Sequence, residues 1–149
     1  MKEVYAAVQS HGGWAWPMFG GGEIHRETCA ADLRSACKQE NGPIAYMFEK
    51  GDNGPSNLTQ PQVDVANFLL VRGPYAWLGT GWVGCAPSTG PEGSGLNQTY
   101  VRPTEVDVDY GSPLGLCKES APSVFSREYT RATVSMDCAR WKATITMKK

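Results

Sequence analysis

The chain has 149 residues, with 17 Gly, 10 Pro, five Cys and five Trp, and its 14 basic and 15 acidic residues leave a formal net charge of −1. That balance supplies no basic excess to displace counterions from phosphates, which argues against strong sequence-independent nucleic-acid binding. A hydrophobic content of 41% with 10% aromatic residues suffices for a core and argues against wholesale disorder, while the Gly and Pro excess points to short elements joined by many turns.

In chain order, residues 3–10 place Val4, Ala7 and Val8 at helical spacing ahead of His11-Gly12-Gly13, which predicts the end of a helix closed on glycine. Trp14 to Phe19 is a short aromatic run suited to a buried strand, with Pro17 at its end or at a bulge. A polar loop, 20–28, leads to an amphipathic helix over 29–40, with Cys29, Leu33, Ala36 and Cys37 on one face and Asn41-Gly42 as the stop. Ile44 to Phe48 reads as a second strand and 49–60 as a loop. Thr59 is placed to cap a helix that Pro61 opens and Gly73-Pro74 ends. Tyr75 to Leu78 is a third strand. Helix and strand thus alternate as in an α/β protein with a parallel sheet.

After residue 80 the pattern changes. A Gly, Pro, Ser and Thr-rich connection runs to Pro103, and strands are expected at 105–110, 124–129, 133–138 and 141–147. In the last of these, Trp141, Ala143, Ile145 and Met147 alternate with polar residues, so one face is buried and one wet. A hairpin turn is expected near Thr130-Arg131-Ala132. The organisation expected is therefore 1–80, an 81–104 connection and a β-rich 105–149.

The five cysteines include no C-x-x-C pair, so zinc knuckles and thioredoxin-type chemistry are not indicated and disulfides are the better use. A continuous helix from Cys29 to Cys37 would set its ends ~12 Å apart, too far to bridge, so Cys29 must lie outside the helix or pair elsewhere. An odd count leaves one thiol over. No signal-peptide run and no stretch of ~20 apolar residues is visible. Asn57-Leu58-Thr59 and Asn97-Gln98-Thr99 are glycosylation acceptor triplets if the chain is secreted.

Three stretches occur in order: Arg72-Gly73-Pro74-Tyr75-Ala76-Trp77, Asp109-Tyr110-Gly111-Ser112-Pro113-Leu114-Gly115, and Val124-Phe125-Ser126-Arg127-Glu128-Tyr129 with Val134-Ser135-Met136-Asp137. Together, and with Gly12 to Phe19, they resemble the C-terminal half of glycoside-hydrolase-like TIM-barrel proteins. The resemblance implies an α/β fold: a partial (β/α) barrel of the last three or so strand-helix units, followed by a small antiparallel β-cap. A full barrel takes ~250 residues, so the chain would be a fragment or a reduced descendant. The open edge of its parallel strands would be covered by the remainder of the barrel, a partner chain or a second copy. The implied function is action on glycosidic bonds in a secreted glycoprotein. The alternative is a non-catalytic carbohydrate-binding, structural or interaction module. Carbohydrate is the expected partner, with no nucleic acid, no membrane span and no cofactor.

Glycoside hydrolysis needs two carboxyl groups, and on a barrel they would follow the strands' C-terminal ends. Glu49 with Asp52 after the second strand, and Glu23 after the first, are the catalytic candidates. Glu49 is best placed, because partial burial would raise its pKa for an acid role. Asp107 and Asp109 alternate along an expected strand and would share a face, although Asp109 ahead of Gly111 also suits a turn held by its side chain. Trp14, Trp16, Trp77, Trp82 and Tyr75 lie near strand ends, where flat rings can stack on sugar faces. Trp82 is the best surface candidate, and burial is the competing use for the others. His25, in one loop with Glu23 and Arg26, is a candidate pocket residue. His11 and His25 have no ligand spacing around them, so no metal site is expected.

Overall fold

The computed structural model describes residues 7–8, 10–13, 24–40, 44–47, 50–51, 54–79 and 103–149. Within 7–13, Gly12 adopts φ +72° and the Gly13 N–H donates to the Val8 carbonyl at 3.0 Å. This is the wrap-back bond by which a glycine ends a helix.

Helix α1 spans Cys29–Ala36. Cys29 and Leu33 recur at i, i+4 and are buried at 1% and 0% exposure, so one stripe faces inward. The helix stops at Cys37, earlier than residue 40, because only the 29–37 stripe finds a surface to cover. Strand β1 is Ile44–Met47. The expected loop after it instead contains β2, Lys50–Gly51, and β3, Gly54–Leu58, paired antiparallel. Helix α2 spans Pro61–Val71, with Pro61 in its first turn and Gln60 at the N-cap. Thr59 does not cap it, and neither does the Gln60 side chain, whose Oε1 accepts from Trp141 Nε1 at 2.6 Å. Strand β4, Ala76–Gly79, lies parallel to β1 in the register Ile44 to Ala76.

The largest sheet is antiparallel, in the order β5 (Lys118–Ala121), β6 (Val124–Glu128), β7 (Ala132–Asp137) and β8 (Lys142–Met147). Burial alternates strictly along β7, the period-two signature of a sheet with one covered face. Phe125 opposes Met136, which opposes Ala143, and Arg127 opposes Val134, which opposes Ile145. These residues form the inner face. The β6–β7 turn falls at residues 129–131 as expected. Trp141 is in the β7–β8 turn at φ +52°, not the first residue of the strand. Met147, at the far end of the alternating set, is 46% exposed.

Two findings overturn the partial (β/α) barrel. Beyond the helical residues ahead of Gly12, the described residues contain two short helices and one parallel pair, β1 with β4, while the dominant sheet is a four-stranded antiparallel meander. Helix α2, which would clothe a parallel barrel wall, packs against β6, β7 and β8 instead. It is buried nearly all round, with Val65, Ala66, Leu69, Leu70 and Val71 at 3% exposure or less. Its apolar surface therefore serves the meander. The expected strand at 105–110 is also absent: Thr104–Asp107 is a 3-10 turn.

Two disulfides fasten α1 to the sheet. Cys29 bonds Cys138 just after β7, and Cys37 bonds Cys117 just before β5. The two ends of α1 thus each pair elsewhere, as the helix geometry requires. Cys85 lies outside the described residues. Between the bridges, Arg34 donates to both Glu119 oxygens at 2.7 and 2.8 Å and sits 6.0 Å from the Phe125 ring centre. Disulfides persist in oxidising compartments, so the pair is compatible with an extracellular protein. No described helix is long and apolar enough to cross a membrane.

Candidate functional site

The third sequence motif has a structural use that spacing does not disclose. Arg127 points inward from β6 and is 5% exposed. Its Nη1 donates to the Leu69, Leu70 and Arg72 carbonyls at 3.0, 3.1 and 2.7 Å, and its Nε to the Gly115 carbonyl at 2.7 Å. The Tyr129 hydroxyl also donates to Leu69 O, at 2.7 Å. These side chains satisfy the carbonyls that every helix leaves unpaired at its C-terminus and place a cation at the negative end of its dipole. Desolvation by burial lowers the Arg127 pKa from its ordinary value. Burial likewise pushes the Tyr129 hydroxyl up, opposed by the nearby Arg127 and Arg72 charges.

The second motif is the turn that packs beside this clasp. Asp109 Oδ1 accepts from the Gly111 N–H at 2.9 Å, the side-chain turn that Asp favours, and Oδ2 accepts from Arg131. Gly111 has φ +79°, and a Cβ there would lie 2.0 Å from Thr130 Oγ1, which accepts the Ser112 N–H. Asp107 and Asp109 are therefore not neighbours on a strand face; Asp109 shapes a turn locked onto 128–131, where Leu114 N–H donates to Glu128 O at 2.9 Å.

Because α2 ends at this clasp and the chain turns directly into β4, the two elements diverge around a cavity of about 350 Å³. Helix α2 contributes Val65, Phe68, Leu69 and the following Arg72; β4 contributes Ala76, Trp77 and Leu78; Glu105, Val106, Val108 and Tyr110 form the third wall. The volume is within the ~300–1,000 Å³ of small-molecule sites. Trp77 is 43% exposed. A Cβ on Gly79 would fall 2.3 Å from its ring atoms, so the indole lies over the bare glycine two residues on, the same-face neighbour along a strand. Tyr110 donates from its hydroxyl to Glu105 O at 2.7 Å, and burial followed by the Glu105 charge pushes its pKa up. Glu105 Oε2 accepts from Thr104 Oγ1 at 3.4 Å.

Among the residues singled out from sequence, Tyr75 precedes β4 and is 57% exposed, while its neighbour Trp77 is the ring that lines the cavity. His25 is exposed in the turn before α1, where its carbonyl accepts the Thr28 N–H, and it is not among the lining residues. Trp14, Trp16, Trp82, Glu23, Glu49 and Asp52 lie outside the described residues. Sequence reasoning missed Arg72, Glu105 and Tyr110 as members of one site. The one available signal was that Arg72 directly follows an apolar helical stripe at a Gly-Pro stop. Among the described residues no group of three or more His, Cys, Asp and Glu is arranged to hold a metal ion.

Fold and cavity together define a disulfide-clamped domain in which an antiparallel meander and a parallel strand pair share one buried helix, with an aromatic-lined recess at that helix's C-terminal end. A scan against protein-family models finds no match to the chain, and a search of curated proteins finds no match either.

Proposed function

We propose that the chain is a non-catalytic carbohydrate-binding module of a secreted protein, with the α2–β4 cavity as its binding site. The observation that carries this reading is the combination lining that cavity: a partly exposed indole seated over Gly79, a phenol, and a guanidinium and a carboxylate among aliphatic walls. A sugar ring offers C–H faces to an aromatic plane and hydroxyls to charged donors and acceptors, and such sites are typically apolar recesses with few polar groups. Hydrolysis calls for two carboxyl groups; among the described residues Glu105 is the one carboxylate lining this cavity, and the lining supports binding.

The test is isothermal titration against a panel of soluble oligosaccharides, with product analysis of the same mixtures. Binding without released sugar is expected. Trp77→Ala should weaken it about 10-fold, and Gly79→Ala, which keeps the indole but forces it to shift, should weaken it in the same direction while far-UV circular dichroism stays unchanged. No binding across the panel, or binding indifferent to both substitutions, refutes the reading.

A further inference from the structure

Arg72 occupies an unusual position for a cation at a helix end. Its own N–H donates to Phe68 O at 2.8 Å and its carbonyl accepts from Arg127, so its backbone is anchored on both sides. A basic side chain here would ordinarily satisfy the last helical carbonyls, but Arg127 and Tyr129 already do so. The Arg72 guanidinium is left over. It lies 5.9 Å from the Phe68 ring centre, its Nε is buried with no partner, and the group has no hydrogen-bonding partner among the described residues. Glu105, the carboxylate on the same cavity, is not ion-paired with it. A buried donor left unmade is costly, and a guanidinium presents its N–H groups as a rigid fork that matches a carboxylate with two parallel bonds.

We propose that the cavity selects an acidic sugar, a uronate whose carboxylate pairs with the Arg72 guanidinium while its ring packs on Trp77 and a hydroxyl donates to Glu105. This rests on the carbohydrate-binding reading and narrows it to a charge class. The aliphatic lining, Val65 and Val106 among it, lowers the local dielectric and strengthens such a pair relative to one in open water. Glu105 supplies a counterweight: it repels a second anionic group, so the site takes a singly charged residue with its carboxylate at the Arg72 side.

The experiment is titration of the full chain, disulfides intact, with oligogalacturonates, oligoglucuronates and oligomannuronates, each beside its neutral methyl ester, and with a sulfated neutral oligosaccharide. The expected result is that at least one acid binds about 10- to 100-fold more tightly than its ester and weakens as salt rises. Arg72→Gln should abolish the difference between acid and ester, and Arg72→Lys should restore part of it, since it keeps the charge and loses the fork. Far-UV circular dichroism of both variants should match the parent, because the guanidinium makes no hydrogen bond among the described residues. Equal binding of acid and ester, or an acid preference that survives Arg72→Gln, overturns the proposal and leaves the carbohydrate reading standing. Preference for the sulfated oligomer over every uronate also overturns it. Failure of every sugar, charged or neutral, overturns both.

Discussion

Removing the Cys37–Cys117 bridge tests how the two halves of the described chain are held together. The bridge spans 80 positions and lies inside the 109-position span of Cys29–Cys138. With the outer bridge closed, the inner one closes a loop of only roughly 30 residues, running from Cys37 back to Cys29, across to Cys138 and on to Cys117. The chain-entropy relation gives about 3.5 kcal/mol for that loop, against about 4.5 kcal/mol for an unconstrained loop of 80 residues. The double substitution Cys37→Ala and Cys117→Ala should therefore cost about 3.5 kcal/mol, or a fall in Tm of roughly 7–14 °C. The assay is urea unfolding followed by circular dichroism, in which the slope should also rise because the denatured chain expands. Peptide mapping of the parent, without reduction, should recover Cys29 with Cys138 and Cys37 with Cys117. A loss below about 1 kcal/mol with both pairings present would refute the reasoning, since it would mean the bridge does not restrain the unfolded chain.

Arg127→Met should cost about 3–5 kcal/mol in the same urea assay, because it orphans the buried carbonyl of Leu70 and the part-buried carbonyls of Arg72 and Gly115 together; a cost under about 1 kcal/mol would deny the clasp its role. Acid should expose the Arg34–Glu119 pair. Hydrogen bonds from Arg34 and then from the Ser123 backbone hold the Glu119 carboxyl at about 2 against an ordinary 4.5. A carboxyl depressed in the folded state adds stability that is complete above its unfolded pKa and disappears as pH falls through the folded one. The stability profile should thus decline between pH 4.5 and about 2, and Glu119→Gln should flatten part of that decline. An unchanged acid profile in this variant would contradict the assignment.

Local chemistry made several elements legible. The strand-like runs at 124–129 and 133–138 marked β6 and β7, period-two alternation marked most of β8, and the Pro start and Gly-Pro stop bounded α2, because each signal is written in residues next to one another. The helix geometry of residues 29–37 also excluded a bridge between its own cysteines. Other inferences failed where two partners compete for one surface. The stripe of α2 looks the same whether it covers parallel strands or an antiparallel meander, so the alternation of helices and strands points to a parallel sheet where the structure has an antiparallel one. Residues 50–51 and 54–58 carry Gly, Asn and Pro that suit a loop, yet they pair as antiparallel strands, since backbone hydrogen bonding depends on which strand lies alongside. The stretch at 104–107 has strand-like alternation but folds as a 3-10 turn feeding the Asp109 turn.

The candidate site was legible only in its parts. Trp77 stood out as an aromatic near a strand end, but nothing in the order of residues brings Arg72 and Glu105 to the same recess. What the sequence determined alone was therefore what depends on neighbours: the main helical and strand stretches, the glycine stop at Gly12, the Asp109 turn, the near-neutral charge and the likelihood of bridging implicit in five unclustered cysteines. What the tertiary structure decided was every pairing across distance: which cysteines bond, which sheet receives α2, why Arg127 is buried, and why the Arg72 guanidinium has no hydrogen-bond partner among the described residues at the edge of a cavity. Those outcomes depend on contacts between residues tens of positions apart, whose free energies exist only after the chain has closed the loops between them.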